Sequence, residues 1–297
     1  MRILLFGVNG QVGRETAALA AERGLDFVGV DRATTDISDP VAIARILEAK
    51  RPDLVINAAA YTAVDKAESE PELAARANAF APGWIAERCE RYRTPLIHIS
   101  TDYVFDGTKT GAYVEADPIS PLGVYGRTKA AGEAAVRAAA ERHLILRTSW
   151  VYGIHGANFL KTMLRLAADR DRLTVVADQR GCPTATRDIA EGLLAAATSI
   201  GAGQARWGTY HLAGTGVTTW HGFASEIIRV AAPHTGRKPE VAPITTADYP
   251  TPARRPANSE LDSSQFERAF RFRSAPWQDR VADVVGQLLP SRPKEAS

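Results

Sequence analysis

Tyr125 and Lys129 stand four residues apart in Tyr125-Gly126-Arg127-Thr128-Lys129. On a helix that spacing puts a phenol and an ammonium on one face, a turn apart. The pair suits proton donation to an oxygen that becomes negative during a reaction. A free phenol titrates near pH ~10, too high for easy exchange at neutrality, and a neighbouring ammonium favours the phenolate. Tyr125 is therefore the candidate general acid and Lys129 its tuner. Ser100-Thr101-Asp102-Tyr103 closes an apolar strand. A hydroxyl there, assigned to Thr101 and not Ser100, can bond a reacting carbonyl and position it against Tyr125. Asp102 is a candidate for holding a substrate hydroxyl, with an ordinary turn acid as the competing reading.

What such an acid would serve is suggested by Gly7-Val8-Asn9-Gly10-Gln11-Val12-Gly13, placed directly after an apolar strand and opening a helix. Gly7 makes the tight turn, Gly10 permits close approach to a pyrophosphate, and Gly13 packs helix on strand. The helix N-terminus then offers N–H groups and partial positive charge to phosphates. Asp31, at the end of the next strand, is placed to accept hydrogen bonds from ribose hydroxyls, which favours NADH. Arg32 beside it can receive a 2′-phosphate, so NADPH stands equally. Asp36 and Ile37 would pack beside adenine or form plain surface loop. Ala58, Ala59 and Ala60 leave a small-residue crevice for the cofactor. Together these residues point to hydride delivery to a ketone, with Tyr125 protonating the resulting alkoxide.

The elements that must position them alternate. Apolar runs at residues 2–6, 27–31, 54–57, 96–100 and 144–147 are separated by Ala-rich helical stretches, one after Gly7 through Glu22 and others at 41–49, 72–92 and 125–141. The runs are continuous, which indicates burial on both faces and hence a parallel sheet covered by helices. The pattern predicts an α/β fold, a doubly wound parallel sheet of Rossmann type with a smaller C-terminal α/β substrate domain. The expected division is residues 1–150 for the dinucleotide and 151–297 mainly for substrate, with the chain recrossing near 185–215. Helices are predicted at 159–168, 188–198 and 220–231, a strand near 209–212, loops at 201–203, 233–243 and 250–256, and a frayed tail at 290–297.

Composition narrows the class. The chain has 297 residues, 45% apolar and 24% charged, which are globular proportions. Lys plus Arg exceed Asp plus Glu by 36 − 34 = +2, too little to favour nucleic acid or an anionic membrane. Only Cys89 and Cys182 are present, so no disulfide framework is expected. The first apolar run, Ile3 to Phe6, is too short for a signal peptide, and no later stretch approaches the ~20 residues of a membrane span. The expectation is a soluble, cytoplasmic protein. His98, His143, His155, His211, His221 and His234 are scattered, with no HExxH and no Cys/His clustering, so no metal is expected in catalysis. A GxSxG elbow is also missing.

These segments resemble the extended short-chain dehydrogenase/reductases, and within them the reductases of dTDP-linked deoxysugars. The likeness runs through residues 7–13, Asn57 to Glu68, Ser100 to Phe105, Val124 to Lys129, Arg147 to Gly153, and Asn158-Phe159. It ends in Tyr249-Pro250-Thr251-Pro252-Ala253-Arg254-Arg255-Pro256-Ala257-Asn258-Ser259, the most family-specific stretch. The resemblance implies NADPH or NADH on Gly10, Gln11 and Val12, Asp31 on the ribose, and Ala60, Tyr61 and Thr62 lining the nicotinamide. It implies Thr101, Tyr125 and Lys129 as the catalytic set acting on the 4-keto group of a dTDP-sugar. Thr101, Asp102 and Trp150 would lie near the deoxysugar, with Trp150 stacking on a sugar face unless it is a core tryptophan. Arg254 or Arg255 would face the nucleotide diphosphate. Many members are homodimers and some hold Mg²⁺ at that interface. Two rivals share the fold: a nucleotide-sugar epimerase or dehydratase, and a non-catalytic regulator similar to the subunit that binds methionine adenosyltransferase. Dehydratases need an acid pair after the threonine, and here Tyr103 follows Asp102.

Overall fold

The computed structural model describes residues 1–289; the expected tail at 290–297 lies outside the described residues. The chain opens as β1 (Ile3–Phe6), α1 (Gln11–Glu22), β2 (Phe27–Val30), α2 (Pro40–Lys50) and β3 (Leu54–Asn57). Two short helices, α3 (Val64–Ala67) and α4 (Pro71–Ala75), lead through a π-helical turn at Arg76–Phe80 into α5 (Ala81–Arg91). Then come β4 (Leu96–Thr101), α6 (Val124–Ala139), β5 (His143–Thr148), β6 (Val151–Tyr152), α7 (Phe159–Asp169), β7 (Arg172–Val176), β8 (Arg180–Gly181) and β9 (Thr184–Ala185). The remainder is α8 (Thr186–Gly201), β10 (Gly208–His211), β11 (Thr218–Thr219), α9 (Trp220–Thr235), β12 (Glu240–Ile244), β13 (Asn258–Ser259), α10 (Ser264–Phe270) and α11 (Trp277–Leu288).

Six strands form one parallel sheet in the order β10-β5-β4-β3-β1-β2. Alternation within each strand feeds two cores. Ile3, Leu5, Ile56, Ile97 and Leu144 meet Leu19 of α1 and Ile189, Leu193 and Leu194 of α8 on one face. Leu4, Phe6, Val55, Leu96 and Ile145 meet Ile43 and Leu47 of α2, Ile85 of α5 and Val136 of α6 on the other. Both faces are therefore dry, which is why these strands read as unbroken apolar runs. The β1–β2 connection runs to one side of β1, and the β2–β3 connection crosses back to the other, so the order reverses between β1 and β3. A ligand crevice belongs at that switch, outside the strand ends.

α8 and β10 return from the second half of the chain to this sheet. Phe266 and Phe270 of α10 join the same core, while other parts of that half build a separate one, in which Tyr152, Leu160, Phe223, Ile227, Trp277 and Val281 are buried. Two sequence expectations are corrected. Residues 72–92 are not one regular helix: Pro82 has no N–H for the carbonyl of Asn78, and the turn widens so that Ala81 N–H reaches Arg76 O instead. Residues 233–243 are not loop throughout. α9 runs on through Pro233 to Thr235, stopped by Gly236 at φ 72°, and β12 pairs with β7 in a two-stranded ribbon. Pro243 is tolerated there because each strand has one free edge. No helix among the described residues is long and apolar enough to cross a membrane.

Candidate active site

A cleft of about 1040 Å³ follows the carboxyl ends of β1 to β5. Its cofactor end is set by the glycine turn. Gly7 has φ +86°, and a Cβ on it would lie 2.8 Å from Ala59 Cα and N. A Cβ on Gly13 would lie 2.2 Å from Gly7 O and 2.7 Å from Val8 Cα, so only glycine lets α1 sit this close to β1. Gly10 is the N-cap of α1 and carries no side-chain cap, which leaves the N–H groups of that first turn for a ligand. Gly7, Gly10, Gln11 and Val12 line the cleft, whereas Gly13 acts behind it.

Asp31, Arg32, Asp36 and Ile37 form the far wall, and Ala60, Tyr61 and Thr62 the wall nearer the sheet centre. Asp31 accepts from Asn9 Nδ2 at 2.7 Å and from the Thr34 N–H at 2.9 Å. The hydrogen bonds from Thr34, then that from Asn9, hold its carboxyl below the usual carboxylate range. Arg32 is 85% exposed and reaches Asp36 at only 3.6 Å, so it is free to change partner. Asn9 is a residue the sequence pattern did not single out, although its place inside the glycine turn is the signal that could have found it. The backbone of Tyr61 is bonded on both sides by Asn78, and its phenol turns to Glu70 at 2.5 Å.

Tyr125 enters in the first turn of α6, packed edge-on against Tyr103 with ring centroids 5.5 Å apart. One turn on, Lys129 is buried and donates to Ile99 O at 2.6 Å. Thr101, at the end of β4, donates to Asp102 Oδ1 at 2.9 Å and accepts from the Tyr103 N–H at 3.2 Å. All four line the cleft with Asp102. The expected depression of the phenol does not hold in this geometry. Burial, and then the Asp102 carboxylate, push Tyr125 up to about 12, with Thr101 acting weakly the other way. The Lys129 ammonium is directed to a backbone carbonyl, and burial lowers it to about 8. Asp102 is itself pushed up to about 6 by burial, and its Oδ2 has no hydrogen-bond partner among the described residues. A buried carboxylate beside the phenol, with one oxygen unpartnered, is thus poised to accept from a polar substrate group.

Two substrate expectations are corrected. Trp150 lines the cleft but offers no free ring face for a sugar. Trp220 stacks on it at 3.6 Å and 11°. A Cβ on Gly181 would lie 2.6 Å from Cε2 and 2.9 Å from both its ring neighbours, Nε1 and Cζ2, which puts Gly181 over the opposite face. Arg254 is exposed and outside the cleft. Arg255 is the one turned inward. Its Nη2 pairs with Asp65 at 2.7 Å, while its buried Nη1 has no partner among the described residues. Phe159 and Trp220 join the lining unannounced, because their position depends on the folding of the second half. No group of three or more His, Cys, Asp and Glu side chains placed for a metal ion occurs among the described residues.

Comparison with known proteins follows the same lines. A family model described as the RmlD substrate binding domain matches residues 1–289. A dTDP-4-dehydrorhamnose reductase of Burkholderia thailandensis is 43% identical over 297 residues, covering 97% of this chain and 99% of that protein. The crystal structure of a dTDP-4-dehydrorhamnose reductase from Clostridium acetobutylicum superposes with a TM-score of 0.90 at 36% identity, covering 97% and 99% of the two chains. The Bacillus anthracis dTDP-4-dehydrorhamnose reductase in complex with NADP superposes with a TM-score of 0.89 at 32% identity, covering 96% and 99%.

Proposed function

The chain belongs to the RmlD substrate-binding-domain family, and on that premise we propose that it is a dTDP-4-dehydrorhamnose reductase. It reduces the 4-keto group of dTDP-4-dehydro-6-deoxy-L-mannose to give dTDP-L-rhamnose, using NADPH or NADH. The observation that carries this reading is the meeting, in one cleft, of the glycine cradle with Thr101, Tyr125 and Lys129. The residues suit a dinucleotide: an uncapped helix start for the diphosphate, a tethered Asp31 for ribose hydroxyls and a free Arg32 for a 2′-phosphate.

Bound reduced nicotinamide supplies the hydride for the sugar C4, and this chain supplies everything else. Thr101, whose hydroxyl donates to Asp102 in this structure, turns it to donate to the carbonyl oxygen and holds that oxygen toward the phenol. Tyr125 gives its proton to that oxygen as negative charge develops, so the phenol becomes phenolate and the ketone an alcohol. A phenol held at about 12 stays fully protonated until that moment. Lys129 stabilises the phenolate afterwards by its positive charge, and solvent protons restore the acid. Asp102 binds a hydroxyl of the same sugar through its unpartnered Oδ2.

The test mixes purified protein, the 4-keto dTDP-sugar and either NADPH or NADH, and follows loss of the reduced-nicotinamide absorbance. One cofactor oxidised per sugar reduced, over many turnovers, supports the reading. Tight cofactor binding without net oxidation indicates an epimerase, and absence of oxidation with both cofactors overturns the reductase.

A further inference from the structure

We propose that Glu133 is a positioning residue of this reaction: a buried carboxylate that supplies the counter-charge for Lys129 and fastens α6 to the strand bearing Thr101. The inference deepens the reading above and rests on it. Tyr125, Lys129 and Glu133 follow one another at four-residue spacing, so they form one stripe along α6 facing β4. Glu133 is 0% exposed. Its oxygens are filled by donors from three elements. Oε1 accepts from Ser100 Oγ of β4 at 2.6 Å and from Arg147 Nε of β5 at 2.9 Å. Oε2 accepts from Arg147 Nη2 at 2.8 Å and from Arg137 Nη1 on its own helix at 3.2 Å. The carboxylate therefore joins α6, β4 and β5 one residue before Thr101. These donors hold it ionised, below the usual range, against the opposing effect of burial.

Lys129 needs such a partner. It is 2% exposed and its one hydrogen bond goes to a neutral carbonyl. Around it stand Tyr125 and Glu133 on its own helix, and His98 and Ser100 on β4. Arg147 on β5 binds the Glu133 carboxylate, and Asp102 acts on the phenol. His98 is kept neutral by burial and by the ammonium itself, and its Nδ1 lies 3.1 Å from Asn57 Nδ2. Arg147 is bound up with the carboxylate in a bidentate pair. Among these groups Glu133 is the one that favours the charged form of Lys129. The bonds to Ser100 and Arg147 weld helix to sheet, whereas the place one turn beyond Lys129 on the same face is what a weld alone would not need.

The experiment is the pH profile of kcat/KM for NADPH in the wild type, Glu133→Gln and Glu133→Asp, with melting curves alongside. In the wild type the rate falls above about pH 8 as Lys129 loses its proton. In Glu133→Gln that alkaline limb moves down by about one pH unit, the order expected for one charge at i,i+4 spacing in a partly screened site. Glu133→Asp, which keeps the charge, returns the limb to its wild-type position even if it melts lower. Removing one partner of a buried pair strongly destabilises. If the single variant does not fold, Arg137→Gln carries the test: losing this half-exposed cation leaves Glu133 more of its charge for Lys129, and the alkaline limb moves up. Superimposable pH profiles in the charge-removed variant and the wild type overturn the proposal and reduce the pair to a structural weld. A wild-type chain that oxidises no cofactor with the keto sugar defeats the reductase reading instead, so the two failures are told apart.

Discussion

Gly132→Ala tests whether the catalytic helix is held by backbone contact. An alanine Cβ there would lie 2.0 Å from the carbonyl oxygen of Asn78 and 3.2 Å from its carbon. To reach even a tight 3.0 Å, α6 must retreat by about 1 Å from the π-helical turn. Neither side gives easily, since both atoms belong to helix backbone. Asn78 is further committed: it bonds Tyr61 N–H and C=O at 2.8 and 3.0 Å and Thr128 Oγ1 at 3.3 Å. Thr128 lies between Tyr125 and Lys129, so the displacement reaches the proton donor. Overpacking of this kind costs about 1–3 kcal/mol, and at about 2–4 °C per kcal/mol the melting temperature falls by about 2–12 °C. A misplacement of ~1 Å at the phenol lowers kcat about 100-fold. Calorimetry and steady-state kinetics with saturating NADPH measure both. Gly286→Ala is the control: it lies in α11 with nothing within 4 Å of the new Cβ, and it stabilises by about 0.5–1 kcal/mol with kcat unchanged. Wild-type kcat and melting temperature in Gly132→Ala refute the argument that this crossing fixes Tyr125.

Three further outcomes are expected. Tyr125→Phe lowers kcat by about 10²–10⁴-fold while NADPH affinity, measured by fluorescence titration, changes little, because the phenol is asked for a proton and not for binding. Arg32→Ala raises KM for NADPH about 5- to 10-fold and leaves KM for NADH within about twofold; equal effects on both cofactors would remove Arg32 from the 2′-phosphate. Gly13→Ala, whose Cβ would meet Gly7 O at 2.2 Å, forces α1 off the turn and weakens NADPH binding about 10- to 100-fold by calorimetric titration. Unchanged affinity in that variant would mean the turn is not the phosphate cradle.

The features legible in the sequence are those decided by backbone sterics within a few residues. Three glycines after an apolar run describe a turn and a close packing that the structure contains, at Gly7 φ +86° and Gly13 against Gly7 O. The i,i+4 geometry of Tyr125 and Lys129 is equally local. The choice between a sugar platform and a packed Trp150 is not local: Trp220, which takes one face, is seventy residues away, and Gly181 closes the other side. Spacing gives the proximity of Tyr125 to Lys129 but not the burial or the Asp102 carboxylate that raise the phenol. In the sequence Glu133 is one acid in an Ala-rich helix. Its burial appears only once β4 and β5 bring Ser100 and Arg147 to it. Pro243 within β12 and Pro239 just before it mask a strand that edge pairing tolerates.

The most direct measurement gives the protein NADPH deuterated at the transferable position together with the 4-keto dTDP-sugar, and examines the product by NMR. If Tyr125 and the glycine cradle cooperate as described, wild-type product carries deuterium at C4 of a 6-deoxysugar alcohol, and Tyr125→Phe, though it binds cofactor normally, forms almost none. Product lacking the label, or labelled product made at the wild-type rate by Tyr125→Phe, contradicts the account.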